Sequence, residues 1–257
     1  MTRRRWIADR WTEDTATLLD AQAAHLGRVL RAQPGQQFDI VAGDRVRRGV
    51  IVSVEPNAIQ FSLHESLEAL TALPLIVALG IIRFERMEWA IEKLTELGVA
   101  QIVPLIAQRT EKHLAQAAAK RVERWRRIAH EAAQQSRRSD IPEILDPLPL
   151  RQFSPSEPGA LRLALSEQER ARSLREWVER LQAEDSRRIY AAIGPEGGWA
   201  GPELQWMEEN GWESVSLGPR ILRAETAAVA VASVWNAWLT ATSMQTGGAA
   251  DSTSAAS

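Results

Sequence analysis

Hydrophobic and polar positions change their period near residue 73, and the two periods predict two kinds of structure. Before that point Gln37-Phe-Asp-Ile-Val alternates, Ala42-Gly43-Asp44 reads as a turn, and Arg48-Gly-Val-Ile-Val-Ser-Val runs to a second turn at Pro56-Asn57. Ala58-Ile-Gln-Phe-Ser-Leu then alternates again. Period-two alternation bounded by turn residues predicts half-buried strands, here of a small β-barrel. A helix is expected over 20–30, with Leu19, Ala23, Leu26 and Leu30 on one face.

Beyond Leu73-Pro74 the strands become continuously apolar, as in Leu75-Ile-Val-Ala-Leu-Gly. Such a run belongs to a strand covered on both faces. A helix over 86–97 closed by Gly98, a strand over 101–106 and a long Arg-rich helix over 115–137 follow. Then come a strand at 161–165, a helix at 170–183, a strand at 188–193, a helix at 202–210, a strand at 214–217 and a helix at 225–242. Strand–helix alternation predicts an α/β domain with a parallel sheet. The expected organisation is a barrel domain over 1–72, an α/β domain over 73–241 and a disordered Ala/Ser/Thr/Gly tail over 242–257.

Composition narrows the function classes. Hydrophobic residues make up 45% and charged residues 25% of 257, an ordinary globular balance. No apolar run approaches the roughly 18 residues of a membrane span, so no membrane partner is expected. The charged start Met1-Thr-Arg-Arg-Arg-Trp has no apolar signal-peptide segment, and a cytoplasmic location is expected. The absence of cysteine excludes disulfides, thiolate metal sites and cysteine nucleophiles. His64, His113 and His130 have no metal-ligand spacing, so no metal is expected.

A net charge of −2 argues against a general nucleic-acid binder. The distribution says more. Only Lys93, Lys112 and Lys120 are lysines among the 31 basic residues. The arginine excess as a whole fits codon bias, since alanine is also abundant. From Arg109 to Arg138, however, nine basic residues face three glutamates, which makes a phosphate-facing surface.

Two loops carry the chemistry. Ile193-Gly-Pro-Glu-Gly-Gly-Trp199 lies between a predicted strand and helix, where open α/β sheets bind ligands. It is neither a P-loop nor a dinucleotide fingerprint, and alone it also fits a tight structural turn. Ser216-Leu-Gly-Pro-Arg-Ile-Leu-Arg-Ala-Glu-Thr-Ala228 again leads from strand to helix, with Glu225 complementing the helix dipole.

Together these loops resemble the RsmE family of 16S rRNA uridine-N3 methyltransferases, in the SPOUT superfamily. Arg86-Met-Glu-Trp-Ala-Ile-Glu-Lys-Leu-Thr-Glu-Leu-Gly-Val99 is similar to that family's first catalytic-domain helix. Trp125-Arg-Arg-Ile-Ala-His-Glu-Ala-Ala-Gln-Gln-Ser-Arg-Arg138 with Ile141-Pro142 is similar to its substrate-side helix. His25-Leu-Gly-Arg-Val-Leu-Arg31 resembles its N-terminal signature, with Ala24 where the family often has a second histidine.

The resemblance implies an α/β SPOUT domain with a parallel sheet and a trefoil knot, preceded by a PUA-like RNA-binding β-barrel. It implies a homodimer using S-adenosylmethionine to methylate uridine N3 of 16S rRNA in the decoding region of the 30S subunit. The alternatives are a SPOUT methyltransferase for another RNA site and a non-catalytic ribosome-assembly protein. Cofactor contacts are expected from Leu165, Gly194, Glu196, Gly197, Gly198, Leu217, Gly218, Arg220, Ile221 and Leu222. Leu165, Ile221 and Leu222 would pack on adenine.

Uracil N3 must lose its proton before it can accept a methyl group, so the site needs a base or cationic donors. Arg138 and Arg223 are the candidates for anion stabilisation or phosphate placement. Arg138 equally fits a solvated helix face, and Arg223 a salt bridge to Glu225 or Glu196. Glu196 is a candidate base or a carboxylate that fixes its own loop. RNA contacts are expected from Arg4, Arg5, His25, Arg28 and Arg31, and from Arg109, Arg137 and Arg138. The tryptophans Trp6, Trp11, Trp89 and Trp125 read as core more than as stacking platforms. The apolar face of the last helix, with Val229, Val231, Val234 and Trp235, fits a dimer contact or core.

Overall fold

The structure, a computed structural model, describes residues 5–69, 72–155, 157–181 and 187–250, with the side chains of 240–250 excepted. Two compact units emerge. One comprises Met1–Thr71 with His130–Ile141, and the other Ala72–Ala129 with Pro142–Ser257. The first unit thus reaches beyond the N-terminal segment and includes the end of the Arg-rich helix.

In the first unit the strands are β1 (Arg5–Ile7), β2 (Arg10–Trp11), β3 (Thr15–Leu19), β4 (Gln37–Ala42), β5 (Arg45–Glu55) and β6 (Ala58–Leu67). They form one sheet in the order β1-β4-β5-β6-β3-β2, antiparallel except for β1 with β4. Its edge strands β1 and β2 are separated in the chain by two residues, so the sheet must curl to bring its edges together. Register shifts in β5 at Arg47/Gly49 and Ile51/Ser53 supply the bend. Trp6, Leu18, Leu26, Ile40, Ile59 and Phe61 fill the interior. The expected helix is α1 (Asp20–Ala24), running on into a π-helical turn at His25–Val29.

The segment 130–141 is tied to this unit by polar contacts. Arg137 pairs with Asp39 at 3.2 Å, Arg5 donates to the Arg137 carbonyl at 2.5 Å, and Gln134 donates to Gln22.

The second unit contains β7 (Leu73–Gly80), α2 (Phe84–Glu96), β8 (Val99–Ile106), α3 (Lys112–Ala118) and, as far as Ala129, α4 (Val122–Gln135). It continues with β9 (Glu143–Ile144), β10 (Leu148–Pro149), β11 (Leu161–Leu165), α5 (Leu174–Glu179) and β12 (Ile189–Ile193). It ends with α6 (Gly201–Glu209), β13 (Glu213–Val215) and α7 (Ala224–Ala250). The sheet runs β10-β8-β7-β12-β11-β13, with β9 also on β8, and every pairing is parallel.

Both faces of this sheet are covered, which explains the unbroken apolar strands. Leu75, Val77 and Leu79 of β7 face a core shared with α2, α5 and α7, whereas Ile76 and Ala78 face Trp199, Met207 and Trp212.

The Arg-rich helix is broken by a 3₁₀ turn at Ala119–Arg121, although Leu114, Ala118, Val122, Trp125 and Ala129 stay buried through it. α5 is shorter than the expected 170–183. Ser173 and Glu176 form a capping box that starts it, and residues 182–186 lie outside the described residues. The segment before it has another use. Ser166 N donates to Val215 O, Ser216 N to Arg172 O, and Leu174 N to Ser216 O. Residues 215–216 therefore run between the two arms of the 166–173 loop. The chain arrives there from α6 on one face and continues to α7 on the other, the threading that a trefoil knot requires.

α7 continues through Ala250, into the stretch expected to be a disordered tail; residues 251–257 lie outside the described residues. Val231 and Trp235 are core residues, while Val234 is 36% exposed.

Candidate active site

One register brings the predicted loops together. Leu165, the last residue of β11, is the partner of Ile193 at the end of β12 and of Val215 at the end of β13. Three parallel neighbours thus stop at one level, and the loops 166–173, 194–200 and 216–223 leave the same sheet edge. Ligands bind beyond the carboxyl ends of such strands.

The loops enclose a cavity of about 460 Å³, within the range of small-molecule sites. Leu165, Gly194, Glu196, Gly197, Gly198, Leu217, Gly218, Arg220, Ile221 and Leu222 all line it, together with Arg223 and Arg86. Ile221 is 84% exposed, an apolar side chain left on the wall of an open cavity.

Local geometry fixes the loops. Gly198 N donates to Pro195 O at 2.8 Å, closing a turn, and the positive φ of 68° at Gly198 then directs the chain out of it. Gly218, at φ 113°, has nothing within 4 Å of where a Cβ would be, so its backbone faces open space. Trp199 Nε1 donates to Leu165 O at 3.1 Å, and Arg109 Nη1 donates to Gly197 O at 2.8 Å. The buried Glu203 carboxylate accepts from Ala200 N and Gln108 N, holding the start of α6.

Arg86 was not singled out as a site residue. From α2 its Nη1 binds Glu196 Oε1 at 2.8 Å, and its Nε lies 3.7 Å from Glu225 Oε1. Glu196 is therefore held by an arginine of another element, and the two acids considered as partners of Arg223 both face Arg86. The only signal for Arg86 was its place at the head of the 86–99 motif.

The other expected residues are dispersed. Arg4 lies outside the described residues. Arg5 is buried and donates to the carbonyls of Arg137 and Glu68. Burial pushes its pKa below the usual arginine value, with Arg137 adding to the effect and Asp39 opposing it. Arg138 belongs to the first unit, is 6% exposed and is ion-paired with Asp140. His25 lies against the Trp6 ring, with centroids 5.9 Å apart. Arg28 and Arg31 are exposed beside the exposed Val29 and Leu30. Trp6 and Trp125 are core, but Trp11 and Trp89 are exposed.

The family model of the RNA methyltransferase domain matches residues 70–236. The ribosomal RNA small subunit methyltransferase E of Synechocystis sp. is 34% identical over 88% of this chain and 74% of its own length. The chain belongs to the ribosomal RNA small subunit methyltransferase E family. The Bacillus subtilis member is 28% identical over 83% of this chain and 86% of its own. The crystal structure of the Neisseria gonorrhoeae member, bound to S-adenosyl methionine, superposes with a TM-score of 0.79 at 28% identity. That match covers 90% of this chain and 96% of the other. This methyltransferase family member thus has the SPOUT parallel sheet and the PUA-like barrel that its motifs implied.

Proposed function

We propose that the protein transfers a methyl group from S-adenosylmethionine to N3 of a uridine in 16S rRNA, in the decoding region of the 30S subunit. The cavity at the common edge of β11, β12 and β13 carries this reading, and family membership supports it.

The lining residues fit the cofactor. Leu165, Leu217, Ile221 and Leu222 offer apolar surface for a flat heterocycle, and the exposure of Ile221 leaves room for one. Glu167 and Glu196 favour the ligand's cationic centres, and Arg220 its carboxylate. When bound, S-adenosylmethionine supplies an electrophilic methyl group on a sulfonium.

The chain's own task is to hold the acceptor base and to manage its N3 proton. Arg223 lies on the cavity wall, is exposed, and makes no side-chain hydrogen bond or ion pair among the described residues. Its guanidinium is available to stabilise negative charge spreading onto O2 and O4. Arg28 and Arg31 offer phosphate contacts on the barrel unit. The protein acts as a cytoplasmic homodimer in this reading, with the exposed Val234 of α7 in the subunit contact; a monomer in light scattering would remove that part.

The test is methyl transfer from labelled S-adenosylmethionine to 30S subunits of a strain lacking its own enzyme, with mass spectrometry of the product nucleoside. 3-Methyluridine is expected. A different methylated nucleoside would overturn the base position. No product despite tight cofactor binding would indicate another RNA, and neither product nor binding would indicate a non-catalytic RNA-binding protein.

A further inference from the structure

A second pocket, of about 300 Å³, adjoins the cofactor cavity and shares Arg86 and Arg223 with it. Glu85, Trp89, Glu225 and Thr226 complete its lining. Two of these side chains are out of the ordinary. Trp89 is 45% exposed, although it sits on a helix packed against α7. Glu225 is only 7% exposed, yet its Oε2 is buried with no hydrogen-bond partner. Its Oε1 has only the 3.7 Å ion pair with Arg86, too long for a hydrogen bond. A nearly buried carboxylate without donors calls for an explanation; Oε2 is enclosed by protein, and a ligand N–H in the pocket would meet Oε1, on the side of Arg86.

The pattern of charges specifies the ligand's edge. The acceptor, Glu225, shares the pocket with two cations, Arg86, 3.7 Å from its Oε1, and Arg223. The Watson–Crick edge of uracil presents the complement: an N3–H donor between the O2 and O4 acceptors. Cytosine would instead set a bare N3 acceptor against the carboxylate. An exposed indole offers the flat surface on which an unstacked RNA base packs.

We propose that this pocket holds the target uracil and that Glu225 is the general base for its N3 proton. The inference rests on the uridine-N3 reading given above. In the step, the N3–H electron pair becomes the new N3–C bond and the proton passes to the Glu225 carboxylate. The pair of the broken C–S bond stays on sulfur, leaving a neutral thioether. The proton then leaves to solvent. The charged groups that line the pocket with Glu225 are Arg86 of α2, Arg223 of the preceding loop and Glu85 at the start of α2. Glu196 reaches it only through Arg86.

The experiment compares wild type, Glu225→Gln and Glu225→Asp in single-turnover methylation of 30S subunits across pH, with cofactor affinity measured by calorimetry. It is repeated on subunits carrying 5-fluorouridine, whose N3–H is more acidic. For Glu225→Gln, unchanged cofactor affinity and a rate loss of about 10²–10⁴-fold are expected. The loss should shrink as pH rises and on 5-fluorouridine; Glu225→Asp should keep the wild-type pH profile at a lower rate. A Glu225→Gln rate that keeps the wild-type pH dependence, or falls only together with cofactor affinity, would overturn the assignment. Trp89→Ala should raise KM for 30S subunits and weaken their binding to the cofactor-loaded protein. A changed oligomeric state with unchanged 30S binding would place Trp89 in a subunit contact instead. If wild type makes no 3-methyluridine, the underlying reading fails; if it does and Glu225→Gln matches it, only this assignment fails.

Discussion

The indole Nε1 of Trp199 donates to the carbonyl oxygen of Leu165, 3.1 Å away and buried. This bond joins the end of the 194–200 loop to the strand residue whose register aligns all three cavity loops. Trp199→Phe keeps most of the ring but leaves the Leu165 oxygen without its donor. Stability should fall by about 1–3 kcal/mol, read as a lower melting temperature, and cofactor affinity measured by calorimetry should fall with it. Equal affinity in the variant would show that the loop is positioned without this bond.

Arg86 holds Glu196 of one loop and faces Glu225 beside the other. The pair is partly exposed, so removing it should change stability by less than ~1 kcal/mol. Its effect on the site should be larger. Arg86→Met should weaken cofactor binding and slow methyl transfer while the melting temperature barely moves. Arg86→Lys should recover only part of both, because an ammonium lacks the fork that reaches two acids.

Gly198 has a φ of 68°, and a Cβ there would lie 2.6 Å from Glu167 Oε1. Gly198→Ala should cost about 1–2 kcal/mol from the left-handed backbone alone, with a further displacement of Glu167 on the cavity wall. Cofactor titration should show weaker binding. An alanine variant with wild-type affinity would mean that the turn tolerates another conformation.

Glu88 accepts two hydrogen bonds from Arg124, at 2.6 and 2.8 Å. Those bonds, with the arginine's charge, hold its pKa below the ordinary value of 4.5, against the opposing effect of burial. A depressed carboxylate pKa means that the unfolded chain takes up the proton first as pH falls. The pair's stabilisation is therefore complete above about pH 4.5 and is lost as pH drops through the folded-state pKa. Arg124→Ala should lower the melting temperature at neutral pH and flatten its decline on the acid side. Parallel curves for variant and wild type would refute the linkage.

Much of the fold was legible. The change from alternating to unbroken apolar strands separated a sheet with one solvated face from one covered on both, and Gly98 and the loop glycines marked element ends. The three shortest N-terminal strands carry too few residues for a period to show. The helix expected over 170–183 starts only at Leu174, because Arg172 O and Leu174 N, on either side of Ser173, are taken up by hydrogen bonding to Ser216. That constraint comes from a residue more than forty positions away in sequence. Arg5 and Arg137, read as phosphate contacts, are joined by a hydrogen bond inside the first unit; only tertiary packing distinguishes such an arginine from an exposed one.

The sequence by itself determined the strand–helix order, the two Gly/Pro loops and the family, since these depend on local period, turn chemistry and motif order. The residues of those loops were named from sequence, and they line one cavity. Tertiary structure decided what lies between them. It set the common register at Leu165, the passage of residues 215–216 through the 166–173 loop, and the placing of Arg86 between two acids. It also left Glu225 nearly buried without a hydrogen-bond donor. Hydrogen bonding and burial depend on distance in space, and residues 86, 196 and 225 become neighbours only when the sheet is assembled.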